Sequence, residues 1–189
     1  MILEDVLCTL RTRLLDSGFI KEFYEMTEPF TRGEVTAPGF YSGGGQYDHV
    51  HDFDVDGAGY CRKRGDVSIQ SDDVKNDLLG CSDDFIIMNF PMRSVIAVPK
   101  IHLGDNAYSD DRLFAEMVVI FGGDYSASGV QDISTSIVSY STDTLSIWRQ
   151  EVSGIDYQMN PKLAYIAIDF NLSFSVTKSC LPEVCGYGY

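Results

Sequence analysis

The chain has 189 residues, 44% of them hydrophobic and 22% charged, the proportions of a soluble globule that buries a core without staples. With 28 acidic against 14 basic residues its net charge is −14, which repels nucleic-acid phosphates and argues against a DNA-reading role. No apolar run approaches the roughly 18 residues that a membrane span needs.

The opening MILEDVLCTLRTRLL carries acids where an export leader would carry Lys or Arg, so it reads as part of the fold. Leu3, Val6, Leu7, Leu10, Leu14 and Leu15 recur at helical spacing, with Glu4 and Asp5 near the start and Gly18 at the end. Cys8 falls among the apolar positions of that helix and is expected in the core. A short strand, IKEFYEM, follows. Residues 27–46, with Pro29, Gly33, Pro38, Gly39 and the run Gly43-Gly44-Gly45, read as loop-rich.

The next stretch, YDHVHDFDVDGAGYC, holds two histidines, four aspartates and a cysteine. Asp52, Asp54, Asp56 and Gly57 spell the first half of a calcium loop, but the closing position holds Lys63. Asp56-Gly57 is a strong turn signal between HDFDV and YCRKR. Residues 47–70 are therefore expected to form a protruding β-hairpin, with its acids facing Arg62, Lys63 and Arg64 across the strands. The rival reading is a metal site on His49, His51 and Cys61, with Cys81 as a further ligand.

Residues 71–84 are polar. FIIMNF and MRSVIAVPKI read as strands, with a bulge or a break around Pro91. SDDRLFAEMVVIFGG is a helix from Ser109 to Gly122, with Leu113, Phe114, Met117, Val118 and Phe121 on its apolar face. DISTSIVSYS alternates as a strand, and TDTLSIWRQEVSG reads as a short helix ended by Gly154. In AYIAIDFNLSFSV the even positions from Ile166 to Val176 are apolar and the odd positions from Asp169 to Ser175 are polar. That period of two predicts a strand roughly 40 Å long, buried on one face and wet on the other.

The expected fold class is α+β: an antiparallel sheet with helices on one face, a hairpin arm at 47–70 and a C-terminal tail at 177–189. Five cysteines leave at least one unpaired, and Cys180 and Cys185 lie close enough to pair or to share a metal. The odd count favours reduced thiols and a reducing cytosol. No phosphate loop, nucleophile elbow or zinc-protease helix is present, so no catalytic residue and no cofactor is expected.

Three segments carry a family resemblance: LEDVLCTLRTRLLDSGFIKEFYE, FPMRSVIAVPKIHLGDN and LAYIAIDFNLSFSV. In element order and texture the chain resembles the tail-completion (tail-terminator) and neck-ring, or head-to-tail connector, proteins of tailed bacteriophages. PEVCGYGY and the stretch from Ile147 to Asp156 resemble virion proteins of crAss-like phages. The resemblance implies a non-enzymatic virion protein, assembled in the host cytoplasm as a ring of six or twelve subunits in the neck or tail. It also implies contacts to portal, neck or tail-tube proteins, with DNA passing without specific binding. The interface residues expected on this reading are Gly43, Gly44, Gly45, Asp54, Asp56, Gly57, Arg62, Arg64, Cys180, Cys185, Tyr187 and Tyr189.

Overall fold

A computed structural model describes residues 2–49, 57–72, 85–104, 109–122, 125, 131–154 and 160–177. The first helix, α1 (Ile2–Asp16), buries Val6, Leu7, Leu10 and Leu14 along one stripe, as the spacing predicts. Each such side chain contributes about 1.5–3 kcal/mol when fully withdrawn from water. Cys8 lies off the stripe and is exposed, contrary to expectation. After Gly18, whose φ of +71° turns the chain, comes the short strand β1 (Glu22–Tyr24).

Residues 27–46 are more ordered than their Gly and Pro content suggests. They carry β2 (Glu28–Arg32) and β3 (Val35–Gly43), which join β4 (Gln46–His49) in a three-stranded antiparallel sheet. The turn at Gly33 has φ +65°, and the three glycines 43–45 all have positive φ at the β3–β4 tip. Pro29 and Pro38 face each other across β2 and β3, so the two missing N–H donors fall at one rung of the ladder.

The main sheet contains β1, β5 (Ala58–Lys63), β6 (Ser68–Asp72), β7 (Phe85–Pro99), β8 (Gln131–Ser141) and β9 (Leu163–Thr177). Its order is β1-β5-β7-β9-β8, and β6 continues along β7 where β5 ends. The α+β class expected from the sequence is the class observed. Its sheet is mixed, however, because β1 runs parallel to β5, with the small sheet in the crossover between them.

The expected arm at 47–70 is absent from the described residues. β4 pairs with β3, while β5 lies between β1 and β7, so the described parts of that stretch belong to different sheets; the strand expected at 51–55 lies outside the described residues. Neither the bulge nor the break expected at Pro91 is present: β7 runs unbroken for 15 residues, in continuous register with β9. Arg64 N–H donates to the Pro91 carbonyl at 2.8 Å, opposite the gap between β5 and β6, where the ladder needs no donor from Pro91.

Two layers cover the sheet. On one face α1, the short α2 (Lys100–Leu103) and α3 (Ser109–Phe121) enclose a core including Phe90, Met92, Ile96, Ile166, Ile168, Phe170 and Phe174. On the other, α4 (Thr144–Glu151) sets Ile147 and Trp148 against Tyr60, Val95, Ala97, Tyr165 and Ala167, beside Ala37 of the small sheet. Helices therefore cover both faces, not one. The long strand β9 exists as predicted, but Tyr165 and Ala167 on its second face are buried under α4. No described helix is long and apolar enough to cross a membrane.

Candidate functional site

Where α4 stops covering the sheet, a belt of charged side chains crosses the strands. Arg62, Arg93 and Asp169 occupy one cross-strand row on β5, β7 and β9, because the register pairs Arg62 with Arg93 and Arg93 with Asp169. Glu151, at the end of α4, reaches into this row with its side chain 1% exposed. Arg62 donates to it through Nε and Nη2, both at 2.7 Å, a two-pronged contact with both carboxylate oxygens. Tyr60 Oη adds a hydrogen bond at 3.0 Å.

Arg93 donates through Nη1 to Gln150 Oε1 at 2.6 Å. Its Nε lies 3.3 Å from Glu151 and 3.7 Å from Asp169, and these contacts are ion pairs and not hydrogen bonds. Arg64 and Ser139 both donate to Asp169 Oδ2, at 2.6 and 3.0 Å. The hydrogen bond to Glu151 raises Arg62 above its ordinary pKa, while burial and then the Glu151 charge push Tyr60 well above its own. Three arginines against two carboxylates make this belt locally positive on an acidic chain. Its groups neutralise one another and lock α4 and β5 to the sheet.

The interface residues expected from the sequence are scattered. Gly43, Gly44 and Gly45 form the β3–β4 tip, and beside it Tyr41 Oη accepts from Gly45 N at 3.0 Å. Gly57 opens β5 with φ +83°, packed so closely that an added Cβ would lie 2.7 Å from Pro99 Cδ. Among the described residues, Arg62 pairs with Glu151 and Arg64 with Asp169. Asp54, Asp56, Cys180, Cys185, Tyr187 and Tyr189 lie outside the described residues.

The residues of the metal alternative are divided in the same way. His49 sits in the small sheet with Nε2 3.0 Å from the Phe30 carbonyl, its ring edge-on to Phe30. Cys61 is fully buried in the main core, where desolvation pushes its thiol up to about 12, far from the thiolate a metal would bind. His51 and Cys81 lie outside the described residues. Among the described residues no group of three or more His, Cys, Asp or Glu side chains is placed to hold a metal ion.

What the sequence did not indicate lies at the two ends of the main sheet. β8 is one edge, with Val138 and Tyr140 exposed on it; Leu145 at the start of α4 is exposed too, as is Val118 on α3, which falls off the apolar face the sequence predicts for that helix. Tyr140 stacks on Phe114 of α3, with ring centroids 3.7 Å apart. A register shift on β8 between Ile137 and Ser139 leaves Val138 without a partner on β9, and it is 63% exposed.

The opposite edge is β1. A groove of about 690 Å³ runs along it, between α1 and β3, lined by residues 21–26 with Leu15, Phe40 and Tyr41. Phe40 stacks on Tyr24 at 4.3 Å, giving the groove an aromatic wall, while Glu4, Arg11, Lys21, Glu22 and Glu25 bring charges of both signs. A polar strand with few charges was the sequence signal at β8. Its place at an edge follows only from the topology.

Neither a protein-family model nor a curated protein matches this chain.

Proposed function

We propose that this chain is a structural protein of a tailed-bacteriophage virion, a subunit of a ring in the neck or tail that joins or completes the tail and lets DNA pass. The reading starts from the resemblance in element order. The observation that carries it further is the pair of unlike open edges at opposite ends of one sheet, β8 with its exposed apolar side chains and β1 with its groove. A ring needs each subunit to present two different, mutually complementary surfaces, and a molecule with two like edges would close into pairs instead. Large apolar side chains left exposed along a free sheet edge are suited to an interaction surface.

The charge is compatible with a conduit. A net −14 offers duplex DNA little phosphate neutralisation, so DNA would slide past without adhering. On this reading the work is geometric and no residue is catalytic. The test is the solution mass of the purified chain, alone and mixed with portal, neck and tail-tube proteins from the same virion. Closed species at six or twelve times the 21.0 kDa chain mass are expected. A chain that stays monomeric and binds none of those proteins overturns the proposal.

A further inference from the structure

We infer that subunits join by setting β8 of one copy antiparallel against β1 of the next, in the groove between α1 and β3, so that the main sheet continues from subunit to subunit. This rests on the ring reading above and adds the contact to it. Strand polarity permits this contact. β1 is parallel to β5, and three successive antiparallel pairings then lead through β7 and β9 to β8. β8 therefore runs opposite to β1 within one copy. A rotation about an axis along the strands preserves their directions, so β8 meets the next copy's β1 antiparallel, the pairing with the better hydrogen-bond geometry.

Two chains of −14 repel, and in the groove Glu4, Glu22 and Glu25 outnumber Arg11 and Lys21, so the strand that enters it must itself be nearly free of carboxylates. β8 has one charged residue, Asp132, in eleven, and it has neither Lys nor Pro. Natural edge strands are normally protected by those residues or by bulges that carry them away from a neighbour. Here the bulge carries Val138, an apolar side chain turned to solvent, which is the opposite of protection.

The receiving side is shaped for an added strand. The groove follows β1 for its whole length, and Leu15, Phe40 and Tyr41 in its walls offer apolar surface for Val138 and Tyr140. An extended segment added to an open sheet edge gains main-chain hydrogen bonds and seats alternate side chains in such walls. On the flanks, Val118 of α3 comes to face α1 of the next copy, because both helices cover the same face of the sheet.

Two substitutions at exposed positions test the contact. Val138→Glu charges the β8 side and Tyr41→Glu charges the groove, at residues 63% and 60% exposed, so both variants should melt close to the parent. Native mass spectrometry and sedimentation are expected to show assembly of the parent and at least about tenfold weaker assembly of each variant alone. Mixing the two variants should then give a one-to-one heterodimer and nothing larger, since each keeps the surface that the other lacks.

Folded variants that assemble like the parent overturn this contact while leaving the ring in place. A mixture in which the parent assembles but the two variants do not pair excludes a head-to-tail contact through these surfaces. A parent chain that stays monomeric up to about 1 mM also overturns the contact, and its recruitment as a monomer by virion proteins would then leave only the virion reading standing.

Discussion

Replacing Glu151 with alanine takes the only carboxylate of α4 out of the charged belt and leaves Arg62 and Arg93 beside each other on adjacent strands. Glu151 receives two 2.7 Å bonds from Arg62, one at 3.0 Å from Tyr60 and an ion pair from Arg93 at 3.3 Å, with its own side chain 1% exposed. Removing one partner from a buried charge pair costs about 3–5 kcal/mol. Two features favour the lower end. The Arg62 side chain is 20% exposed and can turn toward water, and Arg93 keeps Gln150 at 2.6 Å and Asp169 at 3.7 Å.

The expected loss for Glu151→Ala is therefore about 3 kcal/mol, which for a chain of this size lowers Tm by roughly 6–12 °C. Urea unfolding followed by far-UV circular dichroism gives the free energy directly, with the denaturant slope as a check on two-state behaviour. The same measurement on Arg62→Ala and on the double variant closes a cycle. The two single losses should exceed the double loss, because the second substitution removes a charge that the first has already orphaned. A loss below about 1 kcal/mol for Glu151→Ala, or strict additivity in the cycle, would mean that water already screens the belt, and the reasoning from burial would fail.

Three further outcomes are expected. Stability should fall with rising pH above about 9. The buried Cys61 thiol is raised from 9.0 to about 12, so the folded chain holds a proton that the unfolded chain releases, and stability present below 9 is lost toward 12 at about 1.4 kcal/mol per pH unit. Tyr60 and Tyr125, both raised by burial, add to the same decline above 10, and Cys61→Ala should remove the part that begins near 9 in a pH series of urea melts. Gly154→Ala should cost on the order of 3 kcal/mol or more, because φ is +89° and the added Cβ would lie 1.9 Å from the Glu34 carbonyl oxygen. Gly33→Ala, with a positive φ but open space around it, should cost only about 1–2 kcal/mol in the same assay. Finally, Asp143 caps α4 by accepting from the N–H groups of Leu145 and Ser146, and Asp143→Ala should cost about 1 kcal/mol by thermal melt.

Much of the candidate interface was hidden from the sequence for an identifiable reason. Arg62 and Arg64 stand beside an acidic stretch, and local reasoning paired them with it. Their partners, Glu151 and Asp169, are 89 and 105 residues away, and only the β5-β7-β9 register brings them together. Val138 and Tyr140 read as ordinary members of an alternating strand. Whether such residues are covered depends on which strand lies next to β8, and no local pattern states that.

The elements themselves were legible. The stripe Val6-Leu7-Leu10-Leu14, the face Leu113-Met117-Phe121 and the two-residue alternation of β9 each encode a local period, and local periods survive whatever the tertiary fold does. Gly and Pro misled at 27–46 because they mark turns and special backbone angles, which a three-stranded sheet with tight connections needs as much as a loop does. Sequence alone thus determined the α+β class, the helix faces apart from Cys8 and Val118, the length of β9 and the strongly acidic balance. Only the tertiary structure decided that β1 lies parallel to β5, that α4 covers the second face, and that β1 and β8 stand at opposite ends of the strand order, with β6 paired on one side alone. Strand partners are chosen by contacts between residues far apart in the chain, and one strand's own sequence does not specify which neighbour will satisfy it.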